Sequence, residues 1–208
     1  MKKRKVVPVF FAIDDNYIPF LHVSLLSLKD NSSKDNDYKI FILNSGVKIE
    51  HEKHILELSE SWFSIEFVDV ADKINALSGN LELRDYYTFT TYYRIFIAGM
   101  FPEYDKAVYL DSDTIVLTDV ADLFDTDLKD SLIAGIPDGA VSVIPPFTEY
   151  TKKVLGIDGN RYFNAGIIVM NLKRFREEDF YAGFNDLLSK YKFRVAQDQD
   201  YLNVLCKD

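Results

Sequence analysis

Six short apolar runs, none longer than a strand, alternate along the chain with amphipathic stripes and polar breaks. This alternation limits the fold more than any other feature. Val6 to Ile13, Tyr38 to Asn44, Ile65 to Val70, Lys106 to Leu110, Ser131 to Ile136 and Phe163 to Asn171 have strand length and are rich in Val, Ile and Phe. Between the first two, Tyr17 to Lys29 carries Leu21, Leu25 and Leu28 at helical spacing, and the polar stretch DNSSKDND stops that helix. Ile49 to Phe63 reads as a second helix with Ile55, Leu58 and Trp62 on one stripe. Loop-like residues through Gly79-Asn80 precede an aromatic segment, Tyr86 to Ile97, read as helical in its second half. Glu177 to Tyr191 and Gln199 to Leu205 are expected to close the chain as helices. Strands separated by helices predict an α/β fold with a mainly parallel sheet covered on both faces. Pro8 donates nothing to a ladder and is placed near the start of its strand. With no internal repeat or Gly/Ser linker, residues 1–208 are expected to form one domain.

Composition narrows the function classes. With 33 acidic against 24 basic residues the net charge is −9, which argues against a general nucleic-acid binder. At 48% hydrophobic and 27% charged, the chain is not wholly disordered. No apolar run approaches the roughly 20 residues that span a bilayer. Cys206 is the one cysteine, which excludes an internal disulfide and a cysteine-rich zinc site. The start, MKKRKVVPVFFAI, imitates a signal peptide, but Asp14-Asp15 cut the apolar run to eight residues and no small-x-small site follows. A cytoplasmic protein is expected.

In an open parallel sheet, ligands gather at the carboxyl ends of the strands. There the first strand ends in Asp14-Asp15-Asn16 and the fourth in Asp111-Ser112-Asp113, while Tyr162-Phe163-Asn164-Ala165-Gly166 enters another. Neither a GxGxxG turn nor a GxxxxGK[ST] loop is present, so a phosphate held here would need another partner, usually a metal ion. In an extended segment Asp111 and Asp113 would point to the same side and could share one hard cation. A bare Asp-x-Asp also fits a solvated turn. His51 and His54, in HEKH, fall one residue short of H-E-x-x-H and read as a solvated helix face. His22 reads as half-buried and Cys206 as a small core residue. Tyr86, Tyr87, Phe89, Tyr92 and Tyr93 read mainly as core.

Taken together, FAIDDNYIPFLHVSLLSL, TTYYRIFIAG, DKAVYLDSDTIVL, YFNAGIIVMNL and QDQDYLN occur in the order seen in family 8 glycosyltransferases, which the chain resembles from about Phe10 to its end. The resemblance is nearest to the bacterial lipopolysaccharide galactosyl- and glucosyltransferase branch, with glycogenin more distant. It implies a GT-A type nucleotide-sugar transferase fold, whose mainly parallel Rossmann-like sheet is flanked by helices. It also implies a retaining, Mn²⁺-dependent hexosyltransferase (Mg²⁺ as the alternative) with a UDP-sugar donor, UDP-galactose or UDP-glucose. By motif, Ala12, Asp14 and Asn16 would receive uracil and ribose, and Arg94 would contact the donor sugar. Asp111 and Asp113 would ligate the metal, with Ser112 beside the ribose. Asn164 and Ala165 would face the hexose, Asp138 would touch donor or acceptor, and Asp198 and Gln199 would flank the anomeric centre.

The family's third metal ligand, a histidine in a downstream H-x-x-G-x-x-K-P-W type motif, has no counterpart within residues 1–208. His22, His51 and His54 all lie outside such a motif. The resemblance thus implies a domain C-terminally incomplete relative to the family, expected to bind UDP–Mn²⁺ and turn over little donor. Expected partners are the UDP-sugar and a saccharide or glycolipid acceptor, with no nucleic acid and any membrane contact peripheral, at the inner face of the membrane, through the missing region. The alternatives are a non-catalytic UDP-sugar-binding fragment and a sugar nucleotidyltransferase, the latter disfavoured because Asp14-Asp15-Asn16-Tyr17 is not a Gly-rich phosphate loop.

Overall fold

The computed structural model describes residues 4–78, 89–193 and 195–207. Gly79, Asn80, Tyr86 and Tyr87, named above, lie outside them. The first half runs β1 (Val6–Ala12), α1 (Ile18–Asp30), β2 (Asp37–Asn44), α2 (Ile49–Leu56), β3 (Phe63–Asp69) and α3 (Ala71–Ser78). A 3₁₀ segment, Phe89–Phe96, then enters α4 (Ile97–Met100), followed by β4 (Ala107–Leu110), α5 (Val120–Phe124) and β5 (Ile133–Pro137). After these come α6 (Gly139–Val143), α7 (Pro145–Tyr150), β6 (Phe163–Met170), α8 (Leu172–Glu177), α9 (Phe180–Lys190) and α10 (Asp198–Leu205).

Why the inner strands read as unbroken apolar runs is plain from their two faces. Phe10 and Ala12 of β1 and Phe41 and Leu43 of β2 enter one core. Val7, Val9 and Phe11, with Ile40 and Ile42, enter the other. Burial on both faces is what a central parallel strand requires. The sheet order is β3-β2-β1-β4-β6-β5. β3, β2, β1 and β4 are mutually parallel, whereas β6 runs antiparallel to both β4 and β5. The Rossmann-like, mainly parallel expectation holds, with this one reversal. Pro8 stands just before the ladder with β4 opens at Val9.

Two helices depart from the bounds that their spacing suggests. The helix expected over Ile49 to Phe63 stops at Leu56, because Glu60 and Phe63 exchange backbone hydrogen bonds of 2.8 and 3.0 Å in a tight turn. That turn buries Trp62 against Tyr38 rather than on the helix stripe, and Phe63 opens β3. The helix expected over Glu177 to Tyr191 starts only at Phe180, and Glu177 instead ends α8. Asp179, at φ 46°, stands between the two and accepts the Ala182 N–H to cap α9. The Phe175 and Phe180 rings close the break at 4.1 Å.

After Asp113 the chain runs along α1, with the Val116 N–H donating to Ser27 Oγ at 3.0 Å and Asn31 Nδ2 donating to the Val116 carbonyl at 3.0 Å. Asp119 fixes the end of this run by accepting from Ser33 N (3.0 Å), Ala121 N (2.9 Å) and Tyr38 Oη (2.5 Å). Burial, and then the Asp119 carboxylate, push the Tyr38 phenol up to about 12. A phenol raised above its unfolded value contributes stability that is fully present below about pH 10 and lost as pH rises through about 12, roughly 2–3 kcal/mol here. Urea unfolding of the parent should show that loss in excess of Tyr38→Phe. Equal alkaline slopes in both proteins would remove the bond from the stability balance.

Candidate active site

The carboxyl ends of β1 and β4 meet where the sheet switches direction: β1 continues outward to β2 and β3, while β4 lies on its other side. Crevices open at such points. Because β6 is antiparallel to β4, its amino end lies beside the carboxyl end of β4. Leu110 pairs with Ile167, and the Asp111 N–H donates to the Gly166 carbonyl at 2.7 Å. The reversal therefore sets Asn164-Ala165-Gly166 next to Asp111. A parallel β6 would have carried them to the opposite edge.

Arg94 enters this crevice from the 3₁₀ segment and is 3% exposed. Its Nε donates to the Thr91 carbonyl at 2.9 Å, one terminal nitrogen donates to the Ala165 carbonyl, and the other lies 3.4 Å from Asp111 Oδ1. Asp198 Oδ2 lies 2.9 Å from Nε but off the N–H direction, so that pair is ionic without a hydrogen bond. The guanidinium also stands over the Tyr109 ring at 4.2 Å. Burial opposes the charge on Arg94, but Asp198, with Tyr109 and Asp111, outweighs it and holds the group above its ordinary value. For Asp198 burial dominates, pushing the carboxyl up to about 6 against the pull of Arg94.

The first turn of α10 is pinned by polar bonds that reach across the crevice. Gln199 Oε1 accepts the Ala165 N–H at 2.8 Å, and its Nε2 donates to Asp138 Oδ2 and Tyr162 Oη, each at 3.2 Å. One turn on, Asn203 brackets Phe163, accepting its N–H at 2.8 Å and donating to its carbonyl at 2.9 Å. Asp200, fully buried, accepts from Tyr162 Oη at 2.6 Å, Tyr150 Oη at 2.8 Å and Ala196 N at 3.1 Å. Asp138 caps α6 through Ala140 N and Val141 N, at 3.0 and 3.2 Å.

These groups enclose a cavity of about 340 Å³. Arg94, Asp111, Asp138, Asn164, Ala165, Asp198 and Gln199, all singled out from the sequence, line it together. Ala12, Asp14, Asn16, Ser112 and Asp113 do not. Ala12 is buried at the end of β1, Asp14 accepts the Asn16 N–H at 2.8 Å, and Asn16 is exposed. Ser112 is buried and Asp113 exposed, in a turn that Thr114 Oγ1 closes on the Asp111 carbonyl at 2.8 Å. The acid pair is thus not extended as expected: β4 stops at Leu110, and the turn replaces the strand alternation. Its hard oxygen donors suit Mg²⁺ or Mn²⁺. Among the described residues no cluster of three or more His, Cys, Asp or Glu could hold a metal ion. His51 is not simply solvated, for its Nδ1 lies 2.7 Å from Asp15 Oδ1.

Sequence reasoning overlooked Gly166, Asp200 and Asn203. A Cβ on Gly166 would lie 2.6 Å from Asp111 Oδ2 and 2.9 Å from Asn164 Oδ1, so only glycine leaves the Asp111 carboxylate room on β6. The signal for Asp200 and Asn203 lay in QDQDYLN. An acid and an amide three apart, among apolar residues on a short helix, need buried partners.

Glycosyl transferase family 8 matches residues 8–208 of this chain. A Haemophilus influenzae protein is 29% identical over 201 residues, the match taking in 96% of this chain and 59% of that one. The lipopolysaccharide 1,2-glucosyltransferase of Escherichia coli is 24% identical over 212 residues, with 99% of this chain matching 60% of that enzyme. The chain therefore spans less than two thirds of the length of these relatives. Among solved structures, galactosyltransferase LgtC in complex with donor and acceptor sugar analogues superposes with a TM-score of 0.83 at 28% identity, covering 96% of this chain and 70% of LgtC. The fold is of the GT-A type.

Arg94→Met should destabilise the protein by about 3 kcal/mol, since it strips the counter-charge from buried Asp198. The loss stays at the low end because Asp198 can take up a proton instead. Arg94→Lys should lose less, keeping the charge but not the planar fork. Chemical denaturation reads both, and a Met variant within about 1 kcal/mol of the parent would mean that the guanidinium does not hold the site together.

Proposed function

The chain belongs to glycosyltransferase family 8, and on that premise we propose that it is a retaining hexosyltransferase that uses a UDP-sugar, UDP-galactose or UDP-glucose. It passes the hexose to a saccharide acceptor in the synthesis of lipopolysaccharide or another cell-surface glycan, and works in the cytoplasm. The observation that carries this reading is the charge balance of the cavity. Among its described lining, the carboxylates of Asp111, Asp138 and Asp198 stand with one cation, Arg94, whose charge Asp111 and Asp198 already share. A diphosphate entering such a space needs a cation brought with it. Glucosyl and galactosyl transfer by relatives supports the hexose class.

In this reading Asp111 and Asp113 hold Mn²⁺, or Mg²⁺ in its place, which supplies Lewis-acid neutralisation of the leaving diphosphate. Ala12, Asp14 and Asn16 take uracil and ribose, with Ser112 beside the ribose. Asn164, Ala165 and Asp138 face the hexose. Asp198, fixed against Arg94, offers negative charge as the anomeric carbon becomes oxocarbenium-like. Gln199 orients the sugar from between Ala165 and Asp138. The carboxylates lining the cavity are each engaged: Asp111 with the cation, Asp138 with the α6 cap, Asp198 with Arg94. An amide is a poor nucleophile, so we favour same-face attack over double displacement. The acceptor oxygen bonds to the anomeric carbon as the bond to phosphate breaks, and the hydroxyl proton passes to the released phosphate oxygen.

Release of UDP from UDP-glucose or UDP-galactose in the presence of a saccharide, by the chain extended with a natural downstream segment and with the product anomer read by NMR, tests the reaction and its retention. Calorimetric titration with UDP should show binding that depends on Mn²⁺, and Asp113→Asn should weaken it by about tenfold or more. Equal binding with and without Mn²⁺, or an unaffected variant, would remove the metal role. Gly166→Ala should fold but bind Mn²⁺–UDP less tightly, because its methyl displaces the Asp111 carboxylate. Unchanged affinity there would show that Asp111 Oδ2 is free to move without consequence.

A further inference from the structure

One wall of the cavity continues outward as an uncharged surface. Residues 139–148, GAVSVIPPFT, contain no charged residue in a chain that is 27% charged. Ala140, Val141 and Phe147 of this stretch line the cavity. Val143 is 74% exposed, Ile144 40% and Phe147 38%, with Pro145 and Pro146 exposed between them. Five consecutive exposed apolar residues are unusual on a protein surface unless they serve a function.

The surface is also braced. Thr148 Oγ1 donates to the Val141 carbonyl at 2.7 Å, tying α7 back to α6. The pair sits so closely on Gly159 that a Cβ there would meet Thr148 Cγ2 at 3.2 Å and the Val141 carbonyl at 3.3 Å. Tyr150, at the end of α7, is bonded to buried Asp200. A preformed surface spends little binding free energy on ordering.

Resting on the hexosyltransferase reading, we propose that the α6–α7 shoulder binds the hydrocarbon aglycone of an amphipathic acceptor glycoside. The acceptor hydroxyl must reach the cavity beside Asp138 and Gln199, and whatever its sugar is attached to must leave through the mouth. Phe147 belongs to both regions, so a sugar at the cavity carries its aglycone onto Val143, Ile144 and the two prolines. The absence of charge from 139–148 favours an alkyl chain over a second polar saccharide.

The test is protein-observed NMR titration of the full chain with methyl and octyl β-D-glucopyranoside, below the micelle concentration of the latter. The octyl glycoside should bind on the order of tenfold more tightly, and it should shift the signals of cavity-lining Val141 together with those of Val143. In the double variant Val143→Ser, Ile144→Ser its advantage should vanish while the methyl glycoside is unaffected. Val143→Ser alone, at the most exposed position, guards against a folding defect and should lose part of the advantage. Equal affinities in the parent, shifts confined to Val143, or an advantage that survives both variants would overturn the proposal. So would a parent dimer that the double variant dissociates in sedimentation, or parent flotation on phosphatidylcholine vesicles without octyl preference. A parallel UDP–Mn²⁺ titration separates the two readings: its failure removes the hexosyltransferase reading and leaves the octyl–methyl ratio standing as measured.

Discussion

A guanidinium taken out of water must replace its hydration shell, and the effective penalty for a buried ion is several kcal/mol unless its partners are well placed. Arg94 finds those partners on separate pieces of chain: Thr91 on its own segment, Asp111 at the end of β4, the Ala165 carbonyl on β6, and Asp198 at the start of α10. Each is near the surface of its own element and none is a neighbour of the others in sequence. The charge can be buried only if all of them arrive together. Placement of α10 against β6 is therefore tied to placement of the 3₁₀ segment against β4. Tyr109 adds its ring face to the guanidinium at 4.2 Å.

The reversal of β6 makes this convergence geometrically available. In a fully parallel sheet, polar residues at a strand's amino end face away from the crevice. Running β6 backwards beside β4 lets Ala165 and Gly166 offer backbone carbonyls to Arg94 and Asp111 from the same edge where β4 ends. Gln199 and Asn203, one helical turn apart on α10, then bond to the same stretch of β6 from the other side. Backbone groups that a sheet edge would leave to water are used up by side chains, in line with the rarity of unpaired buried amides.

Strands β1, β2, β4 and β6 were legible because two-sided burial demands continuous apolar runs, and the acids that close β1 and β4 stood out against those runs. Strand direction was not legible. A period-two pattern reads the same both ways, so the site position of Asn164 and Ala165 came from the family resemblance and not from spacing. Trp62 misled because an apolar residue at helical distance from Ile55 and Leu58 can also be delivered by a tight turn, and only the Glu60–Phe63 bonds decide. Asp179 broke a helix that its neighbours' propensities would have continued, since a capping acid competes locally with the helix. The acid pair at Asp111 and Asp113 was found for the right chemistry with the wrong backbone, a turn in place of an extended segment. Asp200 was hidden because its tyrosine partners lie 50 and 38 residues away.

The most deeply buried groups of the cavity are charged, and apolar side chains form part of its wall, an arrangement with an electrostatic logic. At the floor, Arg94 and Asp198 are almost without solvent, where fixed charges act at low effective dielectric and over short distances. Half-buried groups follow, Asp111, Asp138 and Gln199, whose bonds to Arg94, to α6 and to β6 restrict their orientation. Val141 and Phe147 add side chains that offer no hydrogen bond and give water nothing to hold. Had the charges stood at the rim, solvent would screen them and the apolar groups would be spent on a dry interior. With the charges inside, a molecule seated against the apolar wall excludes water from the floor and strengthens every charge interaction already built there. Displaced water and fixed charge thus act on the same volume, which the short helices α6 and α7 help to wall.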